Sequence, residues 1–232
     1  YLLNLATVQY FFTPFETFHS FYAFLPLLLF IFLKTLQRPS LPRYLLLYTC
    51  SLLSAPSFYV QTLFVVFILT LIPFSIEHLI SHKRKLKSLL SIVTSQLSIL
   101  TSQLYWLLPA IFFALTGAKS VLNSHINLIS SPETYLRNLE FGNLGSLALL
   151  KGYWFNYLDL TFGGKYDYLM LSWRNHLNEP TILAIGYAFF FLVIVGIYYG
   201  IKKKIPQTFS FLLLFLLCYF FLLGGSQLLG DK

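Results

Sequence analysis

Three short basic gaps separate the apolar runs of this chain: Lys34/Arg38/Arg43, Lys83/Arg84/Lys85/Lys87 and Lys202/Lys203/Lys204. Long apolar runs punctuated by clusters of one charge sign predict a chain that threads a membrane. Lys and Arg concentrate in short loops on the inner side, so the same gaps set the orientation. The composition agrees, with 57% hydrophobic, 19% aromatic and 10% charged residues, where a soluble domain carries about 25% charged. A net charge of +8 would also suit nucleic acid. The excess sits beside apolar spans, however, so the expected partner is the lipid bilayer and not nucleic acid.

A spanning helix needs about 20 apolar residues. The predicted fold class is therefore all-α: a polytopic transmembrane helix bundle of about six spans, one membrane domain over residues 1–232. The spans are read at 21–36, 43–55, 57–80, 88–115, 181–201 and 207–223. Span 43–55 is short. Pro56, with Ser54 and Ser57 beside it, predicts a tight reversal, and the second and third spans could form a hairpin that does not fully cross. If each run crosses, all three basic gaps fall on one side. The acids Glu16, Glu133, Glu140, Asp159, Asp167, Glu179 and Asp231 then lie on the other, with Glu77 left on the basic side. The expectation is a multi-pass integral protein of the plasma membrane. Its basic loops are cytoplasmic and a long, partly helical loop, 116–180, is extracytoplasmic. The sequence opens on Tyr1 without a signal-peptide pattern, as expected of a piece of a longer protein or a processed form. Residues 1–12 read as the tail of an earlier span or as an interfacial helix. Cys50 and Cys218 both lie in apolar runs, which suits neither a disulfide framework nor a zinc site.

The fourth predicted span is polar along one side. Thr94-Ser95-Gln96-Leu97 repeats as Thr101-Ser102-Gln103-Leu104, and Ser91, Ser95, Ser98 and Ser102 share a helix face. Small residues and amides of this kind serve close helix packing. The alternative is that Gln96 and Gln103 line a substrate-accessible cavity.

A connection as long as 116–180 is expected to carry function. Ser131-Pro132-Glu133 reads as a helix start, followed by a helix over 134–140. A second helix is predicted over 143–152, capped by Gly152, and then an aromatic cluster, 153–157, suited to the headgroup level. Glu133, Arg137 and Glu140 share a helix face, as a salt-bridge ladder or as a polar patch gripping a sugar or phosphate. Asp159 and Asp167 flank Gly163-Gly164 and could face each other across that turn. Such a pair would hold a divalent cation or do acid–base work, or simply satisfy local backbone. Arg174 and His176 sit just before the fifth span, placed either to bind phosphate or to mark the interface. On the basic side, His78 and His82 are four residues apart, a spacing that can hold zinc. They lie at a membrane exit without an HExxH pattern, and no metal site is expected there. Every charge lies near a span end or in a loop, which argues against an ion-coupled transporter.

Several segments resemble the large bacterial and archaeal polytopic glycosyltransferases of the GT-C type. Tyr22–Leu29 (YAFLPLLL) resembles the start of one of their spans, and Phe12-Thr13-Pro14-Phe15 resembles a turn before it. Gln103–Pro109 (QLYWLLP) resembles an exit from a span into an extracytoplasmic loop, and Leu147–Phe155 (LALLKGYWF) a stretch of that loop. The resemblance covers about residues 10–160. It implies a membrane enzyme that moves a sugar from a polyprenyl-phosphate-linked sugar to an acceptor at the outer face. It also implies a catalytic acid in a loop near the family's N-terminus, a segment this chain begins after. No Asp-x-Asp or Glu-x-Asp pair is present, so the family's base maps onto no residue here, and Glu16 is only a weak stand-in. In such an enzyme a carboxylate deprotonates the acceptor hydroxyl, and a cation or basic side chain stabilises the leaving phosphate. The competing expectation is a non-enzymatic polytopic protein, a flippase-like carrier of lipid-linked cargo or a scaffold for envelope assembly.

Overall fold

The computed structural model describes residues 16–117, 143–150, 158–160, 163–168 and 171–223. They fall into two compact units, one within Thr13–Asn127 and one containing Leu128–Lys232. The described residues are helical apart from one two-stranded hairpin.

The first unit begins with α1, Glu16–Gln37. Leu28, Ile31, Phe32, Thr35 and Leu36 form its buried stripe, at the helical spacing that a one-sided packing face requires. Thr35 returns its hydroxyl proton to the Ile31 carbonyl at 2.8 Å, so a polar group is buried without being left unpaired. Next come α2 (Leu41–Leu53), a 3-10 turn (Ala55–Phe58), α3 (Gln61–Ser81), α4 (Lys85–Ser102) and α5 (Leu104–Thr116). Pro42 sits in the first turn of α2, where its missing N–H costs nothing.

Ring contacts fix which ends lie together. Phe21 of α1 meets Phe58 of the 3-10 turn, Phe58 meets Phe64 of α3, and Phe64 meets Trp106 of α5. Their centroids are 6.3, 5.1 and 5.4 Å apart, each pair edge to face. The starts of α1 and α3 and the ends of α2 and α4 therefore share one end of the unit. The α1–α2 and α3–α4 turns, which hold the first two basic gaps, close the other.

At that basic end Lys85 has a structural task. Its Nζ donates to the Leu79 and Ile80 carbonyls at 2.5 and 2.9 Å, which are among the last, otherwise unpaired acceptors of α3. A cation is also favoured there by the helix dipole. Arg43 likewise donates through Nη1 to the Arg38 carbonyl just past α1. Lys85→Met keeps the apolar stem and removes the cap. It is expected to cost about 0.5–1 kcal/mol, read as a Tm lowered by a few degrees in detergent.

The second unit contains α6 (Leu144–Ala148), β1 (Leu158–Leu160), β2 (Tyr166–Tyr168), α7 (Leu171–His176), α8 (Pro180–Lys202) and α9 (Thr208–Leu223). Asn143 caps α6, accepting from the Ser146 N–H at 2.8 Å, the bond expected of an N-cap side chain. Tyr219 of α9 donates to the Leu147 carbonyl at 3.3 Å. The α8–α9 turn is tight. A Cβ on Gly200 would stand 2.6 Å from both Cγ2 and Oγ1 of Thr208, so this close approach excludes a side chain.

The predicted spans meet the structure unevenly. Those at 21–36, 57–80 and 181–201 correspond to α1, α3 and α8, and these helices are long and apolar enough to cross a membrane. The third helix starts only at Gln61, because Ala55–Phe58 has wound into the 3-10 turn. The stretch read at 43–55 is a helix of 13 residues, about 20 Å long and short of a roughly 30 Å hydrocarbon layer. The stretch at 88–115 is two helices, α4 and α5, bent by 80° at Gln103. The stretch at 207–223 is the 16-residue α9. Three helices, or four if the bent pair is one span, have the length and composition to cross. The helix expected over 143–152 ends at Ala148. The stretches 1–12, 134–140 and 153–157 lie outside the described residues, as do Gly152 and Glu133.

Candidate functional site

The bend at Gln103 creates the first unit's most unusual local chemistry. Where a helix stops inside hydrocarbon, its last carbonyls need donors from the protein, because no water is available. The Ser51 carbonyl near the end of α2 has two. Ser54 Oγ donates to it at 2.7 Å and Gln103 Nε2 at 2.6 Å. Gln103 is fully buried. Its Oε1 accepts from the Trp106 indole N–H at 2.7 Å, and Ser102 Oγ lies 2.8 Å from Ser51 Oγ. The Gln103 backbone carbonyl accepts from the Trp106 and Leu107 amides and so starts α5. One side chain thus ends α2, joins it to α4 and holds the indole that opens α5.

The remaining polar residues of α4 serve packing. Ser88, Ser91, Ser95 and Ser102 are buried on one side, and Ser95 Oγ donates back to the Ser91 carbonyl at 2.8 Å. Gln96 is half-buried on the same helix. Gln103 faces Ser51, Ser102 and Trp106, because the α2 terminus needs its donor.

Past the bend the chain opens a groove of about 640 Å³. One wall is the 3-10 turn with Pro56, Phe58 and Tyr59, and the other is α5 with Trp106, Pro109 and Phe113. Its polar atoms belong to Tyr59, Gln61, Tyr105 and the Trp106 indole, and no lining residue carries a charge. No residue of α5 is buried, although the helix is apolar throughout. Trp106 joins the groove to the Gln103 network. Such a groove can hold an apolar chain, and its lining has no carboxylate, imidazole or amine. The second unit has a smaller cavity of about 220 Å³ between α6, α8 and α9, lined by Leu149, Gly186, Phe190, Phe215 and Tyr219 among others.

Arg137 and Glu140 lie outside the described residues, and Glu16 is the first residue of α1. Asp159 and Asp167 are direct partners in the antiparallel ladder of β1 and β2. The expectation from Gly163-Gly164 is met in the register, with Gly164 taking the positive φ of 72° that glycine tolerates. Asp167 Oδ1 accepts from the Tyr168 amide at 2.7 Å. The Arg174 guanidinium of α7 stacks over the Tyr168 ring, 4.3 Å from its centroid, and His176 ends the same helix. His78 and His82 stack on each other with centroids 4.0 Å apart, and His82 Nδ1 donates to the His78 carbonyl. Among the described residues no three His, Cys, Asp or Glu side chains gather where they could share a metal ion. Like charges at directly paired positions destabilise a ladder. Asp167→Asn is therefore expected to strengthen the hairpin by a few tenths of a kcal/mol, seen as slower amide exchange at 158–168. Slower exchange on adding Mg²⁺ to the unaltered chain, lost in Asp167→Asn, would instead mark a cation pair.

The groove residues Tyr59 and Phe113 escaped the sequence reading, which looked for polar chemistry in the long loop. The signal was the Tyr105–Pro109 segment, read as an exit from a span. Against family models, curated proteins and solved structures the chain shows no match.

Proposed function

We propose that this chain is the membrane portion of a glycosyltransferase of the GT-C type, using a polyprenyl-phosphate-linked sugar at the extracytoplasmic face. In this reading the basic turns are cytoplasmic, and the groove between the 3-10 turn and α5 takes the first isoprene units of the donor. The observation that carries it is the uncharged, aromatic groove at the end of the unit opposite the basic turns, just before the long segment 116–180. Apolar walls with a few hydroxyl and amide groups are the usual make-up of small-molecule sites. Arg137, Glu140, Asp159, Asp167, Arg174 and His176 are the residues of that segment proposed to meet the sugar and phosphate, with a divalent cation as a proposed aid.

A second reading is a non-enzymatic carrier or envelope-assembly scaffold. It is favoured by the closed Gln103 network and by a groove lining without a carboxylate, imidazole or amine. One experiment separates the two. The full-length protein is purified in mild detergent and its retained lipids identified by mass spectrometry. It is then reconstituted with polyprenyl-phosphate-linked sugar and an envelope glycan. Retention and consumption of the lipid-linked sugar support the enzyme. Retention without consumption supports the carrier. Absence of both retention and consumption removes the groove assignment and the family reading together.

A further inference from the structure

We infer that the basic end of the first unit is a binding site for anionic phospholipid, with the lipid phosphate held by the α3–α4 turn and its chains lying against the adjoining helix flanks. The inference holds whether or not the chain transfers a sugar. Lys34, Arg38 and Arg43 of one turn and Lys83, Arg84, Lys85 and Lys87 of the other lie at the same end of one helix cluster. Glu77 is the one acid near them on these helices.

The structure divides these cations by task. Lys85 is spent on the last carbonyls of α3, and Arg43 on the carbonyl of Arg38. Lys34 lies 5.6 Å from the ring centre of Phe30 on its own helix. Arg38, Lys83, Arg84 and Lys87 are exposed and have no ion pair among the described residues. Ser51 lies about 15 Å along α2 and Ser102 about 25 Å along α4 from the first residue of each helix. Their hydroxyls meet, so the α4 start projects about 10 Å beyond that of α2. Lys83, Arg84 and Lys87 therefore stand at the outermost part of this end.

Charge alone would fit a free phosphate or a nucleic acid. The apolar residues between the cations decide against both. Leu41 and Leu86 are each 71% exposed and Ile80 is 68% exposed, directly beside the exposed cations. A partner with an anionic head and an apolar tail covers both features at once. Juxtamembrane Lys and Arg each strengthen anionic-lipid binding about fivefold, and salt screens the effect.

The test uses the purified chain in nanodiscs of phosphatidylcholine with and without 30% phosphatidylglycerol. Native mass spectrometry reads which lipids stay bound. Phosphatidylglycerol is expected to be retained in preference, and retention to fall steeply between 0.1 and 1 M NaCl. Lys83→Gln/Arg84→Gln/Lys87→Gln is expected to weaken retention roughly a hundredfold, with an unchanged Tm in pure phosphatidylcholine, because Lys85 is left in place. Should that variant fail to insert, the salt and lipid titrations of the unaltered chain decide alone. Equal retention of both lipids, or retention indifferent to salt, overturns the inference. So does inorganic phosphate at millimolar concentration, or a short RNA, competing phosphatidylglycerol away.

Discussion

Gln103→Leu will lower the stability of this protein by about 2 kcal/mol, although it replaces a polar residue by an apolar one of similar size inside a membrane protein. The direction follows from the groups left behind. The Ser51 carbonyl loses one of its two donors and the Trp106 indole N–H loses its acceptor. A buried polar group left unpaired costs about 1–3 kcal/mol, whereas a hydrogen bond between membrane helices contributes only about 0.6 kcal/mol on average. The unpaired Trp106 indole N–H decides the outcome, and Ser54 Oγ, which still serves Ser51, keeps it from being larger. The measurement is a Tm in detergent, expected to fall by about 4–8 °C for a chain of this size. Trp106→Phe removes the indole donor and should recover part of the loss when combined with Gln103→Leu, since one orphan then disappears. An unchanged Tm in Gln103→Leu would show that the bend does not depend on this side chain.

If the groove holds the lipid-linked sugar as proposed, Ala110→Trp will abolish its retention while leaving the fold intact. Ala110 lines the groove on α5, a helix without a buried residue, so a larger side chain has no core to disturb. An indole in place of a methyl fills the space opposite Tyr59 and Pro56. Retained polyprenyl-phosphate-linked sugar is expected to drop at least tenfold, about 1.4 kcal/mol of binding, with the Tm moving by less than about 2 °C. Unchanged retention would place the lipid elsewhere, and the smaller cavity lined by Phe190, Phe215 and Tyr219 would be the next candidate.

Much of the helical framework was legible in the sequence because its signals are local. Apolar runs ending in Lys34, Lys83 and Lys202 gave α1, α3 and α8, since length and hydropathy decide such helices almost alone. The serine face of α4 gave its packing side, and Gly163-Gly164 gave the register that pairs Asp159 with Asp167. The bend at Gln103 was hidden because it is a tertiary effect. Residues 88–115 read as one continuous apolar helix, with Pro109 inside and nothing at 103 that breaks a helix by propensity. The bonds from Gln103 to the Ser51 carbonyl, far away in sequence, and to the Trp106 indole account for a stable break. The groove was hidden for the same reason: Tyr59 and Phe113 come together only because α4 ends there. The polar residue at Gln103 in an apolar run read as an amide for close helix packing, and its bonds to Ser51 and Trp106 are of that kind.

The 13 residues of α2 have a consequence for the bilayer itself. A helix about 20 Å long in a layer about 30 Å thick is a case of hydrophobic mismatch, which the surrounding lipid relieves by local thinning. A dimple beside α2 would lower the lipid headgroups toward the level of Ser51 and Gln103. A cargo lipid's phosphate would then have a shorter distance to travel through hydrocarbon at that one place. On the proposed reading, membrane thickness would then enter as a variable in transfer, since a thicker bilayer makes the dimple costlier to maintain.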